Sequence, residues 1–306
     1  MTDFDLSKLT VLSGGTGTLI ERLGFNAKST VAWSSGANVS DPDLVLQAHE
    51  SFIDAGATVI LTNTYQANIS RLSQDMSRED AIQYLNKGVE LALKAASDKS
   101  ICVVGSIGPF ATFLCDGSEY SGNYIGNPKF DLDLIRQNYE TQARALMDLG
   151  IRMLALETIP TVIEAKYARS LLEKFEVDGW ISVPCKDDEH LVNGDKFVDF
   201  VRAVADSPRV RAIGINCTSP AYIRGLLTRG HEVANGKPFV VYPNSGEKYD
   251  GETKSFSGDV VVGRVLDELE EWTRLGVRLI GGCCRIYPDN LAKIAKKVAE
   301  INLLNQ

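Results

Sequence analysis

Short apolar runs rich in β-branched residues alternate with longer stretches of helical period along the chain, a pattern that predicts parallel strands joined by crossover helices. Eight such runs occur: Leu9 to Ser13, Thr58 to Asn63, Ile101 to Ile107, Ile151 to Glu157, Gly179 to Val183, Val210 to Asn216, Pro238 to Tyr242 and Val277 to Gly281. Helix signals fall between them. Asp41-Pro42 caps and opens a helix to Ala55, Asp131 precedes one ending at Leu149, and Pro288 begins the last.

Three segments repeat one local design: Gly56-Ala-Thr-Val-Ile-Leu-Thr-Asn63, Gly150-Ile-Arg-Met-Leu-Ala-Leu-Glu157 and Gly276-Val-Arg-Leu-Ile-Gly-Gly-Cys283. In each, a glycine suited to the left-handed helix cap is followed by an apolar strand and then a polar residue at the strand's carboxyl end. Those polar residues are expected on one rim. Eight strand and helix units in 306 residues match an α/β fold of the (β/α)8 TIM-barrel type, a single domain over residues 1–306, with reactive groups at the carboxyl ends of the strands. A doubly wound open sheet is the alternative, weakened because Gly14-Gly15-Thr16-Gly17 lacks the G-x-G-x-x-G spacing of dinucleotide binding. The stretch Gly108 to Pro128 is expected to form a loop over the barrel mouth.

Composition narrows the partners. A formal net charge of −8 leaves no surplus of Lys and Arg for phosphates, so neither nucleic acid nor an anionic membrane is expected, and a small-molecule substrate is. Met1 to Leu12 has no basic leader or long apolar run, and no segment approaches the roughly 20 apolar residues that span a bilayer. The expected location is therefore cytoplasmic. Six cysteines are too sparse for a disulfide scaffold, and with three histidines a metal site would be built mainly from sulfur or carboxylate.

Cys217 follows the sixth run and Gly281-Gly282-Cys283-Cys284-Arg285 the eighth, so a barrel brings three sulfurs to one rim. Three protein ligands leave one tetrahedral position open, the arrangement of a catalytic rather than a structural zinc. The competing reading is of buried, unpaired thiols, which is also how Cys102, inside a strand, is read. Cys115 and Cys185 lie near rim loops without a partner at useful spacing.

With these segments in hand, the chain resembles the homocysteine S-methyltransferases, relatives of betaine–homocysteine methyltransferase. The matching blocks run nearly the whole length: Thr64-Tyr65-Gln66-Ala67, Gly105-Ser106-Ile107-Gly108-Pro109, Asp116-Gly117-Ser118-Glu119-Tyr120, Glu157-Thr158-Ile159-Pro160, Cys185-Lys186-Asp187 and Tyr242-Pro243-Asn244-Ser245-Gly246-Glu247. The last is similar to the branch that takes its methyl group from S-methylmethionine or S-adenosylmethionine. The resemblance implies Zn2+ on Cys217, Cys283 and Cys284, Glu157 holding the amino group of homocysteine, and the Gly14-Gly15 turn enclosing the amino acid. Ser13 stands where the family usually has Asp, removing one charge near a substrate ammonium.

Each of these positions has a second reading. Glu157 could cap the following helix. Asn63, Tyr65 and Asn216 sit at rim positions that can orient substrate, while hydrogen-bonding the loop backbone is an equal role for Asn63 and Asn216. Asn244, Ser245 and Glu247 resemble a donor-side loop and also an ordinary turn. Arg285 suits a carboxylate or the approach to the last helix.

The chemistry fits these residue types. In methyl transfer from a sulfonium to a thiol the thiolate attacks, and a free thiol has a pKa of about 8.5. Zinc lowers that value, and three cysteine sulfurs around it keep the bound sulfur electron-rich and attract a cationic donor. The leaving thioether is neutral, so no strong general acid is needed. Two other readings stay open: an impaired zinc- and thiol-binding homologue, motivated by Ser13, and a redox sensor that works without metal. Oligomeric state and the preferred donor are not legible.

Overall fold

The apolar runs pair side by side into one parallel sheet. In chain order its strands are β1 (Thr10–Val11), β2 (Val59–Leu61), β3 (Cys102–Ile107), β4 (Met153–Leu156), β5 (Asp178–Val183), β6 (Val210–Asn216) and β7 (Phe239–Tyr242). A small antiparallel hairpin, β8 (Lys248–Asp250) and β9 (Ser255–Ser257), precedes the eighth sheet strand, β10 (Val277–Ile280). The computed structural model describes residues 5–97, 100–246, 248–250, 255–257 and 262–304.

Hydrogen-bonded neighbours run β1-β10-β7-β6-β5-β4-β3-β2. The ends of that order then meet. Leu12 bridges Val59 in parallel, Thr58 N–H donates to the Val11 carbonyl at 2.9 Å, and Ser13 N–H donates to the Val59 carbonyl at 2.9 Å. These contacts close the sheet into a nearly complete (β/α)8 TIM barrel. Parallel neighbours need crossovers; each of the seven contains a helix on the outside, and an eighth helix follows the last strand. These helices are Pro42–Asp54, Arg78–Ala96, Leu132–Asp148, Val162–Lys174, Phe197–Val204, Pro220–His231, Val262–Arg274 and Pro288–Leu304.

Local chemistry explains where the helices begin and end. The side chains of Asp131, Ser77 and Thr161 accept the backbone N–H of Asp133, Asp80 and Glu164, satisfying donors that have no partner inside the helix. Asp41 departs from expectation. It stands at the cap position without capping, and its carboxylate accepts from Ser40 Oγ at 2.8 Å instead. The glycines of the repeated design, Gly56, Gly150 and Gly276, have φ of 105°, 88° and 98°, a region that a side chain disfavours.

Alternation along the strands separates two cores. Outward residues such as Ile60, Val103, Leu154, Ile181 and Val241 pack against the helices. Inward residues form a second cluster, with Leu12, Val104, Met153, Ala155, Trp180, Ala212, Val240, Tyr242 and Leu279 filling the barrel. Space is tight enough that a Cβ on Gly214 would lie 2.2 Å from Ser182 Cβ. Continuing the inward series by steps of two leads to Ser106, Glu157, Ser182, Asn216 and Cys283. The polar site is thus the upper end of the interior core.

Among the described residues no helix is long and apolar enough to cross a membrane. The 108–128 segment does not stay a bare loop. It folds into a short helix, Ala111–Leu114, and a 3-10 turn, Ser118–Tyr120, and is anchored by Tyr124. The Tyr124 hydroxyl donates to the buried carboxylate of Glu164, which also accepts from Tyr139 Oη and Phe110 N–H at 2.7 Å each.

Candidate metal centre

Two turns at the carboxyl rim bring the cysteines together. Cys217 follows β6 with φ of 48°, and Cys283 and Cys284 follow β10 after two glycines. The sulfurs of Cys217 and Cys283 lie 2.50 Å apart, with their Cα atoms at 5.5 Å. With Cys284, all three sulfurs lie within 4.8 Å of one another. This donor set contains only thiols from two well-separated segments, which suits a soft, tetrahedral ion with one position left for another ligand. Cys102, Cys115 and Cys185 lie outside it. Without a cation, burial first, and then the charges of Glu21, Glu119 and Glu157, push the Cys284 thiol up to about 12.

Backbone bonds stitch these turns together through the loop after β7. Cys283 N–H donates to the Pro243 carbonyl at 2.8 Å, and Cys284 N–H donates to Asn244 Oδ1 at 3.2 Å. Asn244 N–H reaches the Thr218 carbonyl beside Cys217 at 3.0 Å, and Ser245 N–H reaches the Cys284 carbonyl at 3.1 Å. Asn244 and Ser245 thus brace the cysteines, a role not read from the sequence. Glu247 lies outside the described residues.

The Gly14-Gly15 turn packs against the same loop from the other side. A Cβ on Gly15 would meet the Cys283 carbonyl oxygen at 2.3 Å, and one on Gly14 the Ile286 carbonyl oxygen at 2.4 Å. Glycine is required here by close backbone approach. Ser13 is buried, its carbonyl accepts from Gly282 N–H at 3.2 Å, and its hydroxyl lies 3.5 Å from Leu61 N at the β1–β2 seam. Arg285, with φ of 63°, donates its backbone N–H to Thr18 Oγ1 at 3.0 Å, fixing the start of the last turn.

Glu157, the residue after β4, is buried at the same rim. Its carboxylate accepts a short hydrogen bond from Ser106 Oγ and a second from Tyr242. Burial outweighs both bonds and raises its pKa from 4.5 to about 7. Tyr242 is held in turn by Trp180 Nε1–H at 3.2 Å and Ser182 Oγ at 2.5 Å. Ser106 and Tyr242 were not read as site residues. The signal available was a hydroxyl at an inward position of an otherwise apolar strand.

The remaining rim residues divide. Tyr65 is half-buried between the Glu157 turn, where Thr158 is its hydrogen-bond partner, and the Glu119-Tyr120 segment of the 108–128 loop. That loop therefore does reach the mouth. Asn63 uses both amide N–H groups inside the protein, on the Ser34 carbonyl at 3.0 Å and on Asn38 Oδ1 at 2.8 Å. Asn216 is fully buried, with its amide turned to Thr158.

Comparison with known proteins agrees with this geometry. Residues 10–298 match the family model for homocysteine S-methyltransferases. The chain is 37% identical to homocysteine S-methyltransferase 2 of Zea mays, over 93% of this chain and 88% of that protein. It is 32% identical to betaine-homocysteine S-methyltransferase of Drosophila melanogaster, over 98% and 97%. Among solved structures, the metallated form of the homocysteine methyltransferase MmuM from Escherichia coli superposes with a TM-score of 0.78 at 30% identity, covering 95% of this chain and 96% of that one. The oxidized form of MmuM gives 0.80, at 30% identity over 94% and 96%. By sequence match over nearly its full length, and by a barrel that gathers its rim cysteines, the chain belongs to the homocysteine S-methyltransferase family.

Proposed function

We propose that this protein transfers a methyl group from a sulfonium donor, S-methylmethionine or S-adenosylmethionine, to the thiol of homocysteine, with zinc held by Cys217, Cys283 and Cys284. The observation that carries the reading is the gathering of three sulfurs within 4.8 Å at the rim that also presents the buried carboxylate of Glu157. Bound zinc supplies a lowered pKa for the substrate thiol, so that the nucleophilic thiolate exists near neutrality. All three cysteines serve as ligands only when the Cys217–Cys283 pair is reduced.

The chain's own groups do the rest. Glu157 receives the substrate ammonium, with Ser106 and Tyr242 fixing the direction of its carboxylate. The Gly14-Gly15 turn, held against the cysteine loop, encloses the amino-acid end, and Tyr65 closes the side toward the 108–128 loop. Asn63 holds the loop backbone rather than substrate. Glu21, Glu119 and Glu157 place negative charge around the cysteines, which favours a cationic donor over a zwitterion such as betaine. Cytoplasmic residence fits the need for reduced thiols.

The impaired-homologue reading rested on Ser13, and it is not favoured: the hydroxyl faces the β1–β2 seam, and in this reading the ammonium is met by Glu157. Purified, reduced protein is expected to retain zinc and to consume homocysteine with S-methylmethionine or S-adenosylmethionine, while Cys284→Ala loses both metal and turnover. Elemental analysis and methionine formation test this. A fully reduced protein that binds no zinc, or that turns over no sulfonium with homocysteine, refutes it.

A further inference from the structure

Two residues of this rim adopt a backbone conformation that side chains avoid. Thr158 has φ of 62° and Cys217 has φ of 48°, and each directly follows an inward-facing residue, Glu157 or Asn216. For a β-branched threonine this region is a rare outlier, kept only where the surroundings impose it. Tyr65 bonds Thr158 and Ile159 N–H donates to the Ser182 carbonyl at 2.9 Å, but the one group that holds both the backbone and the side chain of Thr158 is an amide. Asn216 Oδ1 accepts the Thr158 backbone N–H at 3.1 Å, and Asn216 Nδ2 donates to Thr158 Oγ1 at 2.8 Å. The Asn216 carbonyl accepts from Thr218 Oγ1 at 2.8 Å, and the same Oγ1 accepts Cys185 N–H at 2.9 Å. Asn216 and Thr158 are both buried, so water does not replace these bonds.

We infer that Asn216 is a positioning residue: its two-pronged clasp on Thr158 locks the turn that aims Glu157 to the turn that aims Cys217, so that the amino-group site and the thiol site keep one fixed separation. The inference rests on the reading of Glu157 and Cys217 given above and goes beyond it, because it takes Asn216 out of direct contact with substrate. Homocysteine has only a short carbon chain between its amino group and its sulfur. An enzyme that grips both ends must hold the two grips at a set distance, and 58 residues separate Thr158 from Asn216 in the chain.

Once the clasp is removed, the positive φ of Thr158 loses the bond to its own N–H, and the preceding carboxylate is held less firmly. Asn216→Ala is expected to raise the homocysteine KM by on the order of tenfold or more, in keeping with the effect of a misplacement near 1 Å, with a much smaller change in the KM of the sulfonium donor. Glycine at 158 accepts positive φ without help. The loss caused by Asn216→Ala is therefore expected to shrink several-fold in a Thr158→Gly background, a coupling that general destabilisation of the barrel does not produce.

The test is steady-state kinetics for both substrates, with homocysteine calorimetry, on zinc-loaded wild type, Asn216→Ala, Thr158→Gly and the double variant. Should Asn216→Ala not fold, Asn216→Leu, which keeps much of the side-chain volume and lacks both the acceptor and the donor, carries the same comparison. A wild type that binds zinc and homocysteine while Asn216→Ala binds homocysteine equally well overturns the clasp, as does an equal loss in both backgrounds. A wild type that binds no homocysteine instead overturns the parent reading.

Discussion

Glu157→Gln separates what this carboxylate does for the fold from what it does for substrate. Burial raises its pKa from 4.5 to about 7, so the folded protein holds a proton there that the unfolded chain releases near 4.5. The sign follows. Stability from this group is fully present below pH 4.5, is lost as pH rises through 7, and stays flat above that. A shift of this size corresponds to about 3 kcal/mol. Glutamine never ionises, and its amide satisfies the same neighbours, its oxygen accepting from Ser106 and its nitrogen donating to Tyr242. The ligand-free variant should therefore match wild type near pH 4.5 and exceed it by up to about 3 kcal/mol at pH 8, roughly 5 °C in Tm for a chain of this size. The assay is urea or thermal unfolding of both proteins across pH 4.5 to 8.5. Taking the difference between the two cancels other carboxylates whose pKa burial also raises, such as Glu21 and Glu164. Homocysteine affinity should move the opposite way, strong in wild type above pH 7 and lost in the variant. Stability curves that stay parallel across the range would refute the claim that this site carries an unpaired buried charge awaiting its cation.

Two further outcomes test the packing around the metal centre. Gly15→Ala forces the Cys283 carbonyl to retreat by roughly 1 Å from a 2.3 Å clash, so zinc retention and turnover should fall together by on the order of a hundredfold; normal zinc affinity would show that the turn yields on its other side. Tyr124→Phe removes one of three hydrogen bonds to buried Glu164, should cost about 1–3 kcal/mol, and should speed hydrogen exchange across residues 116–128; unchanged exchange there would mean that the loop is anchored elsewhere.

The barrel was legible because its design repeats. A glycine at positive φ, a buried strand and a polar rim residue recur at Gly56, Gly150 and Gly276, and each run became a strand within a residue or two at its ends. β1 is the shortest, Thr10–Val11, because past Leu12 its neighbours are supplied by the closing seam and the cysteine loop rather than by a regular ladder. The sulfurs were legible for a similar reason, since residues at the ends of β6 and β10 must share a rim. Their bracing was not. Asn244, Ser106, Tyr242 and Thr158 act through partners dozens of residues away, and nothing local distinguishes an asparagine that holds a turn from one that faces a ligand. Asp41 shows the converse error, a textually ideal cap whose side chain prefers its neighbour Ser40.

The inward series that ends in Cys283 has a consequence for how this rim tolerates change. A strand's side chains flip face with every residue, so one residue inserted within Val277–Ile280 would put Gly282 where Cys283 stands and Cys283 where Cys284 stands, and one deleted would put Cys284 in the place of Cys283 and Arg285 in the place of Cys284, leaving one sulfur of the pair in either case. Two adjacent thiols can both meet one ion only in the single phase that this strand length sets. The length of the last barrel strand is thereby tied to the gathering of the three sulfurs as firmly as to packing.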